Sequence, residues 1–358
     1  MKAILTLWSV FIVMIGINAQ NTLTVNGAYP STNGHYSNIQ SALAAANAGD
    51  IILVEGASQS HGSIWIDKPL TIIGTGHHPQ RQLPHPTKFD TITVATDVKN
   101  VKLYGLDFYT FNKVKNKHQD NIDELSIEYC LVRDTIYHTQ KCDKWVLRNN
   151  IFTKKSAFLS DGKPNKKGLL ISNNFFYESQ IKNIGTMTAC VISNNIFSGR
   201  QDTLARPVFK NLQKARVQNN LFYYTNPTTD DVKLCLYNRN LLWQCSDCTI
   251  NSGGQNLSPE GTITSQEPKF VNYKGGDFDP NFDLKQDFHL KPNSPGTKSG
   301  TDGNDIGVFT EDYIFSMTGE PVMIPFVREI VINSGTTQAA PSTTTINVNF
   351  KADGALPK

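Results

Sequence analysis

Through the middle of the chain, short apolar stretches recur in one pattern: an apolar run, two asparagines, then two bulky residues ending in Phe. The copies are Trp145-Val146-Leu147-Arg148-Asn149-Asn150-Ile151-Phe152, Leu169-Leu170-Ile171-Ser172-Asn173-Asn174-Phe175-Phe176, Cys190-Val191-Ile192-Ser193-Asn194-Asn195-Ile196-Phe197 and Ala215-Arg216-Val217-Gln218-Asn219-Asn220-Leu221-Phe222. Counted at the first asparagine, they lie 24, 21 and 25 residues apart. Weaker copies precede them: Glu128-Tyr129-Cys130-Leu131 falls 21 residues before Asn149, and Gly105-Leu106-Asp107-Phe108 falls 23 before that. A unit of this length cannot cover its own apolar side chains, so copies must stack. Each strand then bonds to its equivalent one coil away, about 4.7–4.9 Å along the axis.

The asparagine pair belongs at a corner between two strands. Asn tolerates the left-handed backbone of a sharp bend, and its amide can bond to the Asn one coil on. The Ile, Leu and Phe that follow are expected to stack inward in columns. A leucine-rich repeat needs regularly spaced leucines with one Asn, and a propeller blade needs about 40 residues or more. The pattern therefore predicts an all-β chain forming a single-stranded right-handed parallel β-helix of about eight to ten coils.

Both ends depart from the period. Ser37 and Gln40 form an S-x-x-Q capping box, Ile39, Leu43 and Ala46 share one face, and Gly49 can end the helix. This predicts an N-terminal capping helix that shields the unpaired edge of the stack. After about Thr310 the period is lost. Glu329-Ile330-Val331-Ile332 and Thr345-Ile346-Asn347-Val348-Asn349-Phe350 alternate like strands around a polar linker that includes Pro341. The expected organisation is a signal peptide at 1–19, the β-helix at 20–310, and a C-terminal β extension or partner-facing tail at 311–358.

Composition narrows the function. In 358 residues, 34 Lys+Arg against 31 Asp+Glu leave a net charge of +3, without the basic excess of a nucleic-acid binder. Phosphate-cradling glycine loops are absent: Gly74-Thr75-Gly76 runs into His77-His78-Pro79. Lys2, the apolar run from Ile4 to Ile17 and the small residue Ala19 fit a secretory signal cleaved near Ala19. The run is short for a ~30 Å bilayer core, so no membrane span is expected after cleavage. The protein is expected to be secreted, extracellular or at the cell surface, with the periplasm as another compartment, and to act as a monomer. Six cysteines do not make a disulfide scaffold, and Cys245-Ser246-Asp247-Cys248 reads as a local disulfide or free thiols rather than half a zinc site.

Further stretches carry a resemblance. They are Tyr36-Ser37-Asn38-Ile39-Gln40-Ser41-Ala42-Leu43, Gly49-Asp50-Ile51-Ile52-Leu53-Val54 and Lys68-Pro69-Leu70-Thr71-Ile72-Ile73-Gly74 near the start. Asp287-Phe288-His289-Leu290, Ser294-Pro295-Gly296 and Asp305-Ile306-Gly307 follow near the end. From about Tyr36 to Val308 the chain resembles the pectin-lyase-like family of secreted β-helix proteins. That resemblance implies architecture more than chemistry.

A β-helix offers a long shallow groove suited to an extended polymer. The strand Thr135-Ile136-Tyr137-His138, the strand Ala157-Phe158-Leu159 and the region from Gln201 to Lys210 are expected near one face, with Asp161, Lys163, Lys166 and Lys167 in the adjoining turn. Tyr137, His138, Asp161, Lys163 and Gln201 are the candidate substrate-binding residues. Gln201-Asp202-Thr203-Leu204 resembles a pectin methylesterase motif, in which Gln helps bind an oxyanion and Asp is the general acid/base. Its nucleophile motif is missing: Leu221-Phe222-Tyr223-Tyr224-Thr225 stands where it should lie, and without a nucleophile that mechanism fails. A lyase needs a base and charge neutralisation at an acidic sugar, which Arg200, Asp202, Arg206 and Lys210 can supply.

No metal site is assigned. Ca2+ is the one cofactor the acidic runs invite, yet Asp277–Asp283 and Asp302–Gly307 lack the Gly and Glu of a calcium loop. His77, His78 and His85 are expected at the surface, and Tyr104, Tyr109, Tyr137, Tyr177, Tyr223 and Tyr224 either stack on sugars or fill buried strand positions. Two functions follow. One is a secreted β-helix protein that binds an extended acidic polysaccharide and, if catalytic, cleaves it by β-elimination. The other is a non-catalytic structural or adhesive protein of the cell surface.

Overall fold

The computed structural model describes residues 20–27, 32, 34–77, 85–112, 122–138, 142–153, 157–161, 166–200, 207–228, 231–245, 248, 250, 255–258, 260–273, 286–310 and 314–321, with backbone alone at 326–332 and 348–353. The expected signal segment lies outside them. The chain is a parallel β-solenoid of about seven turns, fewer than the eight to ten expected, with one short helix among the described residues.

One full turn shows the plan. Strand Trp145–Arg148 lies in an eleven-stranded sheet, the first strip. A corner at Asn149-Asn150 leads to Ile151–Phe152 in a second strip, then Ala157–Ser160 in a third, and Lys167–Ser172 begins the next turn. The second and third strips form one fourteen-stranded sheet because Asp107–Phe111 bends. Its first half pairs with Leu131–Val132 of the second strip and its last residue with Thr135–His138 of the third.

The two asparagines of each corner do different work. The first carries the bend: Asn149, Asn173, Asn194 and Asn219 have φ of 55°, 56°, 58° and 57°. The second points inward and builds a ladder. Asn150 Nδ2 donates to Asn174 Oδ1 (3.0 Å), Asn174 to Asn195 (3.0 Å), Asn195 to Asn220 (2.9 Å) and Asn220 to Asn240 (3.1 Å). Each accepting oxygen also takes the backbone N–H of the Asn one rung earlier, as Asn195 Oδ1 does from Asn174 N at 2.9 Å. Each amide further donates to a first-strip carbonyl, as Asn195 does to Ile171 O at 2.9 Å. All five ladder side chains are fully buried. Buried amides are tolerated only when paired in this way.

Register then stacks like on like. Ile127, Leu147, Ile171, Ile192 and Val217 form an inner column of the first strip. Phe152, Phe176, Phe197 and Phe222 form one in the second strip, with successive centroids 4.2, 4.8 and 5.1 Å apart. Each buried Phe contributes about 1.5–3 kcal/mol.

The other bulky residue of each repeat does not face inward as expected. Leu131, Ile151, Phe175, Ile196, Leu221 and Leu241 form a column on the outer side of the second strip, because side chains alternate along a strand. They are buried because later segments lie across them, contributing Phe270, Tyr273, Phe288, Ile306, Val308 and Phe315. This strap is pinned to the corners: Asn173 Nδ2 donates to Val308 O (3.0 Å) and Thr301 N to Asn219 Oδ1 (2.9 Å). Further along, Gly319 presses on His77 so closely that a Cβ there would stand 2.0 Å from the ring. His77 is therefore buried, not at the surface.

The ends were partly legible. The helix is Ile39–Ala45, capped by Asn38 Oδ1 accepting Ser41 N (2.9 Å) rather than by Ser37, and it ends at Ala46, before Gly49. The two alternating stretches pair as antiparallel strands Phe326–Ile332 and Val348–Asp353. Cys245 and Cys248 form a disulfide, while Cys130, Cys142, Cys190 and Cys235 are free and buried. Burial pushes the Cys130 and Cys190 thiols up to about 12 and Cys235 to about 11.

Asn195→Ala orphans the Asn174 N–H, one amide hydrogen and the Ile171 carbonyl, and is expected to cost about 3 kcal/mol in urea unfolding. Asn194→Gly keeps the left-handed corner at little cost, whereas Asn194→Val is expected to lose about 1–3 kcal/mol. In a thiol-reagent assay, the four free cysteines are expected to react only after unfolding.

Candidate functional site

With the second strip covered, the outer faces of the first and third strips remain, and the third carries the expected site residues. It stacks Thr135–His138, Ala157–Ser160, Gln180–Thr186 and Phe209–Gln213. Inward, Ile136, Phe158, Ile181 and Phe209 fill the core. Outward, the register aligns Tyr137, Leu159, Lys182 and Lys210 in one column. The first three are half-buried and Lys210 is exposed. Two lysines thus stand directly opposite each other on neighbouring parallel strands. Like charges in that position cost stability.

Arg200 lies where the chain leaves the second strip, and Pro207, where the described residues resume, accepts Gln180 Nε2 on its carbonyl at 2.7 Å. Gln201, Asp202, Arg206 and Lys163 lie outside the described residues. Of the expected site residues, Tyr137 and Lys210 share the column. Lys182 joins them and was missed, because its strand follows Phe175-Phe176-Tyr177 with no polar motif to mark it. The signal was there in the period, which places Ile181-Lys182 one coil after Phe158-Leu159.

His138 does not reach this surface. It is fully buried, with its ring 4.7 Å from Trp145. Its Nε2 donates to Cys142 O (3.0 Å), which leaves Nδ1 to accept the Ser160 hydroxyl at 3.2 Å. Lys166, also buried, donates to Ser160 Oγ (2.8 Å), His138 O (3.1 Å) and Asp161 Oδ1 (2.5 Å). Asp161 is the wetter end of this chain of bonds, with its side chain 21% exposed. The cluster ties the end of the third strip to the start of the next turn. Its polar groups are spent on one another, so His138 supports the strip from inside. Burial, then the neighbouring Lys166 charge, push the imidazole down to about 3.

A second buried pair braces the corner between the strips. Arg133 grips Asp107 with Nε to Oδ1 at 2.5 Å and Nη2 to Oδ2 at 2.8 Å. Burial raises the Asp107 carboxyl, against the opposing pull of Arg133. Tyr109 is 57% exposed, with the Arg133 guanidinium 5.9 Å from its ring centroid. Tyr104, Tyr177 and Tyr223 are buried and serve packing. No group of three or more His, Cys, Asp or Glu side chains among the described residues forms a metal cage. The Asp277–Asp283 run lies outside them. Asp302 and Asp305 accept the backbone N–H groups of Asn304 (3.1 Å) and Lys298 (2.9 Å), as turn residues do. No helix among the described residues is long and apolar enough to cross a membrane.

No family model matches the chain, and no curated protein matches it. Among solved structures it is similar to the crystal structure of pectate lyase Pel9A, at 12% identity and a TM-score of 0.40, over 82% of this chain and 97% of that one. At such identity the likeness concerns the fold.

His138 has a clear pH signature. Its folded value lies below the ordinary 6.5, so the unfolded state binds more protons as pH falls from 6.5 toward 3, and stability is lost on acidification. The expected slope between pH 6.5 and 5 is up to about 1.4 kcal/mol per pH unit, and the slope flattens in His138→Gln. Urea midpoints across that range measure it.

Proposed function

We propose that the protein is exported and binds an extended acidic polysaccharide along the outer face of the third strip. The observation that carries this reading is the direct register of Lys182 with Lys210, one rung beyond Leu159 and two beyond Tyr137. Two cations one rung apart offer paired positive positions to a polyanion. Tyr137 offers the same column an aromatic face, and the rungs supply polar positions at a constant step along the polymer. The coil is taken as right-handed, since parallel strands of one sheet are almost always joined that way.

In the catalytic form of this proposal, Lys210 in its neutral amine form takes the α-proton of a bound uronate as the C4–O glycosidic bond breaks, Arg200 neutralises the uronate carboxylate, and the departing sugar oxygen takes a proton from water. Such a β-elimination leaves an unsaturated uronate at the new chain end. Its ultraviolet absorbance, followed on pectate, alginate and chondroitin, tests cleavage separately from binding.

Binding itself is tested with the double variant K182Q/K210Q. The expected result is at least about tenfold weaker binding of pectate or alginate by a variant whose circular dichroism spectrum matches that of the wild type. Wild-type binding should weaken as salt rises from about 0.01 to 0.15 M. Equal binding by both proteins would remove the third strip as the site.

A further inference from the structure

A second cavity lies on the strap, away from the lysine column. It encloses about 380 Å³ and is lined by His289, Lys298, Asn304, Asp305, Phe309 and Ile314, among others. The volume falls in the range of small-molecule pockets.

Its most ordered feature is His289. The ring stacks on Phe309 with centroids 3.5 Å apart and planes 15° apart. Phe309 is in turn held edge-on by the buried Phe315 at 5.7 Å. On its other side His289 Nδ1 bonds to Asp287 Oδ1 at 2.6 Å. The imidazole is thereby fixed in plane and tautomer, with Nε2 the nitrogen left for another partner. Yet the side chain is 58% exposed. An exposed Asp–His pair contributes little to stability, so folding gives weak reason to hold it this firmly.

The rest of the lining is complementary. Lys298 is exposed and takes a left-handed backbone with φ of 52°; its own N–H is fixed by Asp305 Oδ1 at 2.9 Å. Phe309 and Ile314, the latter 46% exposed, add apolar surface. The cavity therefore combines a cation, a carboxylate, an oriented imidazole and an apolar wall within the space of one small ring. A neutral apolar ligand would leave Lys298, Asp305 and His289 without use, and a simple inorganic anion would leave the wall without use.

We propose that this cavity binds a single acidic sugar unit: Lys298 takes its carboxylate, His289 Nε2 and Asp305 bond to hydroxyls, and its C–H face lies on the apolar wall. The site is separate from the third strip and goes beyond the function proposed for it. It gives the protein a second hold on an acidic glycan, and linked holds raise avidity where one chain spans both.

The test uses D-galacturonate and D-glucuronate as probes, with D-glucose as the neutral control. The readout is the imidazole ε1 resonance of His289 in the full chain, assigned by loss of the signal in His289→Gln. The expected result is a saturable shift with at least one uronate, about tenfold weaker with glucose, lost in Lys298→Gln and retained in K182Q/K210Q. Lys298 and Lys210 are exposed and Lys182 is half-buried, and matching circular dichroism spectra verify the fold of each variant. No saturable shift with either uronate, or equal responses to glucose and in Lys298→Gln, overturns the proposal. Loss of polymer binding in K182Q/K210Q with the His289 shift intact leaves this site standing by itself.

Discussion

The structure depends on one buried row of amides. Asn150, Asn174, Asn195, Asn220 and Asn240 each face the hollow of the coil at the same corner; the oxygens of the last four each serve two N–H donors of the rung before, and that of Asn150 takes the Cys130 N–H. A carboxamide can do this because it carries donor and acceptor on one rigid plane, and a strand spacing of about 4.8 Å suits amide-to-amide bonding. Asp would stack like charges and Ser would fall short of the first-strip carbonyl. The ladder fixes where each coil turns, and hence which side chains are stacked on which. The phenylalanine column inside and the lysine pair outside are both consequences of that register.

The register also decides which flank is free. Alternation along the second strip sends every other bulky residue outward, and a chain of this composition cannot leave such a column wet. Phe270, Tyr273, Phe288, Ile306, Val308 and Phe315 of the strap cover it, and the strap is bonded to the corner asparagines Asn173 and Asn219. The first asparagine of each pair thus serves twice, bending the backbone and offering an amide to the strap. The third strip is left with an outward column of Tyr137, Leu159, Lys182 and Lys210. The cluster of His138, Ser160 and Lys166 sits beneath its edge, holding the strands that display Tyr137 and Leu159.

Much of this was legible in the sequence because the repeat is a physical necessity written at every coil. The Asn-Asn pairs located the corners, and their period placed Tyr137 and Lys210 on one flank. Asn240 escaped notice since Arg239, not Asn, bends the backbone there, at φ of 50°. The outward column escaped because Leu, Ile and Phe look alike whether they face the core or a strap nearly a hundred residues later. His138 read as a surface group because a histidine at a strand end usually is one. Here the partner that accounts for it, Lys166, lies 28 residues on and reveals itself only in three dimensions. Residue chemistry was readable wherever it depended on neighbours one coil away, and unreadable where it depended on a segment outside the period.

The central claim is that the flank left open by the strap holds an acidic polymer parallel to the coil axis. A crystal structure of the full chain with an acidic oligosaccharide, such as an oligogalacturonate, tests it directly. The account predicts continuous sugar density over Tyr137 and Leu159, with successive carboxylates on Lys182 and Lys210. Density lying across the first strip instead, with both lysines in water, would contradict it.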